Sequence, residues 1–188
     1  MARIAAIFPN EGSQYPGMGK EFYAKSLSVR DIFDKAEKVL DRKIAKICFL
    51  GSPEEQGQLV NAHLTTFLCD YAFFDPLVQN RRKPETLTGI GVGEVAALTA
   101  AECLAYPSAL QYVVKRAQLL EKFAQKHDGA ALFITGVTLD QLQASLSRPE
   151  GELTITQYLA PDTFMVWGPM EAAKSLSVRD IFDKAEKV

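Results

Sequence analysis

Residues Arg3 to Phe8 form a short apolar run that stops at Pro9, a pattern that predicts a buried strand. Asn10 to Gly19 is rich in Gly, Ser and Pro and reads as a loop. Val29, Ile32, Phe33, Ala36 and Leu40 then recur at three-to-four spacing. This predicts an amphipathic helix over 28–40, with Ser28 and Asp31 placed as a capping box. Asn61 to Val78 is apolar almost throughout and long enough for a buried helix, which Pro76 should disturb near its end. A strand is expected over 85–90. Gly91 and Gly93 punctuate its end, and a helix should follow over 94–103. Pro107 opens another long helix, reaching about Gln125.

The texture changes after His127-Asp128-Gly129. A strand is predicted over 130–136, a short helix over 140–146, and a two-strand hairpin from 153–158 and 163–167 around Ala160-Pro161-Asp162. A last helix should run from Met170 onward. The pattern therefore divides into an α/β unit over 3–127, a small α+β lobe over 128–172, and a C-terminal helix over 173–188.

That last helix is a repeat. Ala24 to Val39 reads AKSLSVRDIFDKAEKV, and Ala173 to Val188 repeats all sixteen residues without a mismatch. Repeat architectures recur several times and drift in sequence, whereas this segment occurs twice and far apart. Three origins remain open: an engineered or misassembled chain end, a recent duplication, or a helix that pairs with its twin. The first is favoured because the second copy abuts the C-terminus.

Composition narrows the function classes. Of 188 residues, 47% are hydrophobic and 23% charged, and the net charge is −2. This is ordinary globular chemistry, with neither a basic face for nucleic acid nor an acidic tail. No stretch approaches the roughly 20 apolar residues that span a bilayer, and Pro9 cuts the N-terminal run too early for a signal peptide. A cytoplasmic protein that binds neither membrane nor nucleic acid is expected. Cys48, Cys69 and Cys103 match no zinc or redox spacing, so no metal is expected and all three are read as buried, reduced thiols. Gly89-x-Gly91-x-Gly93 echoes a dinucleotide loop, but its third glycine is misplaced and no acidic ribose partner follows.

Four segments carry a more specific signal. Ile7 to Gly19 reads IFPNEGSQYPGMG; Gly89 to Leu98 reads GIGVGEVAAL; Val114-Lys115-Arg116 lies on a predicted helix; and Ile155 to Gly168 covers the hairpin. In this order they resemble the malonyl-CoA:acyl-carrier-protein transacylase family. The first segment is similar to that family's FPGQGSQ-x-x-GMG, the second to its GHSLGE-x-x-AL nucleophile elbow, the third to the helix with its carboxylate-binding arginine, and the fourth to a hairpin of its small lobe. The resemblance implies a partial α/β hydrolase-like unit with a small ferredoxin-like lobe. It also implies a coenzyme A thioester as the ligand, no cofactor, and an acyl carrier protein or another synthase component as partner. In the family, serine on the elbow attacks a malonyl thioester, histidine takes its proton, and backbone N–H groups hold the oxyanion.

The departures fall on the chemistry. Gly91 stands at the serine position, Ile90 at the adjoining histidine, Glu11 at the glutamine beside the oxyanion hole, and Asn10 at the glycine before it. The small-lobe motif, expected as N-x-N-S-P, reads Gln157-Tyr158-Leu159-Ala160-Pro161. The family's catalytic histidine lies further along than this chain reaches. His63 replaces a family glutamine and is read as a satisfied core histidine; His127 is read as an exposed loop residue. Loss of the nucleophile alone costs a serine hydrolase on the order of a millionfold. The expectation is therefore an inactive member, with degenerate positions Gly91, Ile90 and Glu11. Two candidates for substrate binding remain, Arg116 and the backbone N–H of Val92. Arg116 either clamps a carboxylate ligand or pairs internally with Glu11 or Glu94, and the internal pair is favoured. The family's large unit is completed by chain beyond the lobe. The sheet expected here would thus carry an open edge, to be covered in a homo-oligomer or complex.

Overall fold

The computed structural model describes residues 3–79, 83–146 and 153–173. The chain divides into two compact units at Lys122/Phe123. In the first, β1 (Ala5–Phe8) pairs in parallel with β2 (Thr86–Gly89), with Ala5 opposite Thr86 and Phe8 opposite Gly89. Between them run α1 (Lys20–Lys25), α2 (Leu27–Leu40), α3 (Ile44–Leu50), α4 (Pro53–Gly57) and α5 (Leu59–Gln79). After β2 come α6 (Val92–Ala100) and α7 (Tyr106–Ala124). A parallel pair needs a long crossover, and the five helices supply it.

The core is built on α5. Its residues Leu64, Phe67, Leu68, Cys69 and Ala72 are buried, as an apolar surface on all sides of a helix requires. Buried Val29, Ile32, Phe33 and Ala36 of α2 close one side of this core. Phe33 packs its ring against Tyr23 and Phe49, with centroids 5.4 and 5.5 Å away. Pro76 lies inside α5 without ending it: the helix continues to Gln79, losing one backbone donor near its last turn.

The second unit is a three-stranded antiparallel sheet in the order β3 (Gly129–Thr135), β5 (Thr163–Pro169), β4 (Thr154–Ala160), with α8 (Leu139–Leu146) inserted after β3. Ile134, Leu142, Phe164 and Val166 form its core. Residues 170–173 are helical, and the rest of the repeated segment, 174–188, lies outside the described residues.

Several expectations need correction. The cap of α2 is Ser26, whose Oγ accepts from the Val29 N–H at 3.4 Å; Ser28 instead hydrogen-bonds Ser26 side chain to side chain. β1 is not a buried strand, because Ile7 is 70% exposed and Ile4 is also exposed. Only β2 pairs with β1, so one edge and part of one face lack a protein neighbour among the described residues. Cys103 is exposed, in the short connection after α6 where Glu102 adopts a positive φ of 61°. The short helices α1, α3 and α4 have no periodic stripe long enough to be read from the pattern.

Candidate functional site

The site forms where the loop after β1, the turn from β2 into α6, α5 and α7 converge. β2 ends at Gly89, and Ile90 donates its N–H to the Phe8 carbonyl at 3.2 Å, so the turn is pinned to the end of β1. Gly91 follows with φ 60° and ψ −119°, a backbone that a side chain would strain. The chain then enters α6, where the Gly93 and Glu94 N–H groups donate back to the Ile90 and Gly91 carbonyls and the first N–H groups of the helix, beginning with that of Val92, point out of its N-terminus.

The loop after β1 brings Glu11 to those groups. Gln14 holds the loop in place: its Oε1 accepts from the Gly12 N–H at 2.8 Å, and its Nε2 donates to the Gln56 carbonyl at 3.4 Å. Glu11 Oε2 accepts from the Val92 N–H at 2.9 Å. Glu11 Oε1 faces two side-chain nitrogens, His63 Nε2 at 3.3 Å and Arg116 Nη1 at 3.7 Å. Arg116 forms an ion pair with Glu11, and neither approach is an aligned hydrogen bond, since neither nitrogen has a hydrogen-bond partner among the described residues.

His63 is 1% exposed. Its Nδ1 lies 2.8 Å from the Leu59 carbonyl, which only accepts, so the proton is fixed on Nδ1 and Nε2 is aimed at Glu11. Burial alone would raise the Glu11 pKa. The His63 side chain and the Val92 N–H outweigh it and hold the carboxyl at about 2. The site is thus an ionised carboxylate on a helix N-terminus, flanked by an arginine and a buried histidine.

The turn and the carboxylate fit one another. A Cβ at Gly91 would lie 2.6 Å from Glu11 Oε2 and 3.2 Å from Asn10 Cβ. Ile90, beside Gly91 on the turn, is exposed. Glu94 does not pair with Arg116; Glu11 does. His127 is exposed and stacks on Phe123 with ring centroids 4.1 Å apart. His63 is the residue that sequence reasoning undervalued. It is in the core as expected, yet satisfied on one nitrogen only. The available signal was in the resemblance, which places an acid, Glu11, and a base, His63, where the family motif implies glutamines.

Comparison with known proteins settles the ancestry of this arrangement. The model of the acyl transferase domain family matches residues 6–181. The chain belongs to that family. It is 29% identical over 157 residues to the malonyl CoA-acyl carrier protein transacylase of Bacillus subtilis (strain 168), covering 84% of this chain and 50% of that protein. The crystal structure of an acyl-carrier-protein S-malonyltransferase from Burkholderia pseudomallei 1710b superposes with a TM-score of 0.88 at 26% identity, over 93% of this chain and 58% of that one. A malonyl-transacylase solved in complex with its type II polyketide synthase acyl-carrier protein shares the fold at 20% identity and a TM-score of 0.87, over 93% of this chain and 58% of that one. The chain therefore spans about half the length of the relatives it matches, and it is an α/β acyltransferase domain whose fold is similar to that of malonyl-CoA-acyl carrier protein transacylases. Among the described residues no helix is long and apolar enough to cross a membrane, and no group of three His, Cys, Asp or Glu side chains gathers as a metal site would.

Proposed function

We propose that this acyltransferase domain no longer transfers acyl groups and serves as a binding or scaffolding subunit linked to fatty-acid or polyketide synthesis. The observation that carries the reading is the carboxylate of Glu11 seated on the Val92 N–H, beside a Gly91 that offers no nucleophile. An acyl-enzyme needs an oxygen or sulfur on the elbow, and an oxyanion hole needs free donors. Here the donor is engaged by a negative charge, which also opposes an incoming malonyl carboxylate. Arg116 and the Val92 backbone are the groups that would otherwise contact a malonyl thioester of coenzyme A; in this reading both serve Glu11 instead. The finer description of the two units as a partial α/β hydrolase-like fold and a ferredoxin-like lobe belongs to the same proposal. So do a cytoplasmic location and assembly into a homo-oligomer or a complex, the latter supported by exposed Ile7 on β1 and exposed Ile4 just before it.

Two assays test it. Purified protein incubated with radiolabelled malonyl-CoA and carrier protein is expected to move no label above the uncatalysed rate. Immobilised carrier protein is expected to retain the domain. Transfer above background would overturn the loss of activity. Absence of carrier-protein binding would favour a structural or assembly protein on a borrowed acyltransferase fold. An altered or truncated form of an active acyltransferase is the second reading, favoured by the intact elbow backbone and by the half-length match to relatives. It predicts that serine at position 91, together with the remainder of the relatives' length, restores transfer.

A further inference from the structure

We propose that Cys48 and Cys69 form a redox switch beneath the loop after β1: peroxide joins them in a disulfide, which ties α3 to α5 and removes the hydrogen bond that holds the loop at Met18. Both thiols are buried and belong to one core cluster, Cys48 from α3 and Cys69 from α5. They are hydrogen-bonded to each other, side chain to side chain. The loop rests on the same pair. Cys69 Sγ donates to the Met18 carbonyl at 3.7 Å, and the Gly17 N–H donates to the Cys48 carbonyl at 2.9 Å. Gln56 Nε2 also donates to the Cys48 carbonyl, at 3.0 Å, and the Gln56 carbonyl in turn accepts from Gln14 on the loop. A change at the two sulfurs is thus passed directly to the segment that carries Glu11 and Gln14.

Two thiols and one hydrogen peroxide give one disulfide and two waters. The first sulfur attacks a peroxide oxygen and becomes a sulfenic acid, releasing water; the second displaces that hydroxyl as water and closes the S–S bond. The product has no S–H, so the Met18 carbonyl loses its donor. A covalent bond is also shorter than a contact between thiols, so α3 is drawn toward α5. In the reduced state the pair is protected. The hydrogen bond to Cys48 and burial push the Cys69 thiol well above the usual thiol range, and a protonated, buried thiol is a poor nucleophile. Oxidation therefore waits for the loop to open. Gly17 and Gly19 hold it closed with φ of 89° and 83°, and a Cβ at Gly19 would lie 3.2 Å from Cys69 Sγ, so the loop lies directly on the thiol. The proposal does not depend on whether the domain scaffolds a synthase, because its readouts are a covalent link and the exchange of loop amides.

The test uses the full chain carrying Cys103→Ser, which removes the one exposed thiol. The folded protein is treated with hydrogen peroxide and mapped by non-reducing peptide mass spectrometry. A Cys48–Cys69 linked peptide is expected, and dithiothreitol should abolish it. The linked form should melt about 5 °C higher than the reduced one, as a cross-link between two helices requires. The Met18 and Lys20 amides, which bond within the loop to the Tyr15 and Gly17 carbonyls, should exchange several-fold faster once the Met18 tie is lost. Gly19→Ala, which crowds the thiol and strains the loop, should speed disulfide formation several-fold. If that variant does not fold, linkage and exchange in the Cys103→Ser protein still decide. Thiols that stay unlinked, or that gain oxygen without linking, would overturn the proposal. So would a linked protein whose Met18 and Lys20 amides exchange as in the reduced form.

Discussion

Gly91 and Glu11 are sterically coupled: a Cβ at Gly91 would lie 2.6 Å from Glu11 Oε2, well inside van der Waals contact. Restoring serine at position 91 requires displacing the carboxylate, which would forfeit its hydrogen bond from the Val92 N–H.

A double-mutant cycle measures this coupling. Gly91→Ser alone adds the strain of a side chain at φ 60°, of order 1–3 kcal/mol, to the clash with Glu11. In a Glu11→Ala background the strain and the 3.2 Å approach to Asn10 Cβ remain, and the clash with the carboxylate is gone. The two substitutions together should cost less than the sum of their separate effects, with a coupling of about 1 kcal/mol or more in urea unfolding. Strict additivity would show that Glu11 moves aside without cost.

The low pKa of Glu11 sets an acid dependence. The group is held at about 2 against an ordinary 4.5, so its ionised form is the one the fold favours. That contribution is complete above about pH 4.5 and is lost as pH falls toward 2. It amounts to about 3 kcal/mol at most, and less where the half-buried carboxylate reaches solvent. Glu11→Gln removes it. The stability gap between native protein and this variant should be widest above pH 5 and close progressively by pH 2, as followed by chemical denaturation at each pH.

Asp70 on α5 has the opposite sign. Its Oδ2 is buried with no hydrogen-bond partner among the described residues, and burial raises its pKa from 3.8 to about 7. The folded state keeps this proton between those values while the unfolded chain releases it, so the group's contribution falls as pH rises from about 4 to 7. Asp70→Asn should therefore stabilise the protein at pH 8, by up to about 4 kcal/mol, and have little effect near pH 4. A variant that is no more stable than native at pH 8 would mean that the carboxylate finds solvent.

The long elements were legible because their pattern and their burial agree. In α2, Val29, Ile32, Phe33 and Ala36 form the stripe in the sequence and the buried face in the fold. For β1 the two disagree. The apolar run of Arg3 to Phe8 describes a strand with neighbours on both sides, and among the described residues β2 alone supplies one. In the site, Glu11, Gly91 and Arg116 could be named from the motifs, because each occupies a recognisable position. His63 could not be given its role, since helical periodicity reports that a residue faces the core and not which atom it meets there. The ion pair spans 52 positions from Glu11 to His63 and 105 from Glu11 to Arg116, separations that only the folded chain brings together.

Gly93 supplies the remaining prediction. It lies in the first turn of α6, and a Cβ there would come within 2.3 Å of the Phe8 carbonyl oxygen and 2.5 Å of that of Pro9. Both are backbone atoms at the end of β1, so no rotamer change relieves the overlap. Gly93→Ala must push α6 away from β1, and with it the Val92 N–H on which Glu11 rests. A loss of about 2–4 kcal/mol is expected, in the range of other overpacking and backbone effects. The Val92 amide resonance should shift as well, because its hydrogen bond to Glu11 lengthens. Gly57, whose Cβ would meet nothing within 4 Å, is the control: alanine there should leave both stability and the Val92 resonance near their native values. Equal tolerance at positions 57 and 93 would show that α6 is not seated against the end of β1 as closely as the glycine at position 93 allows.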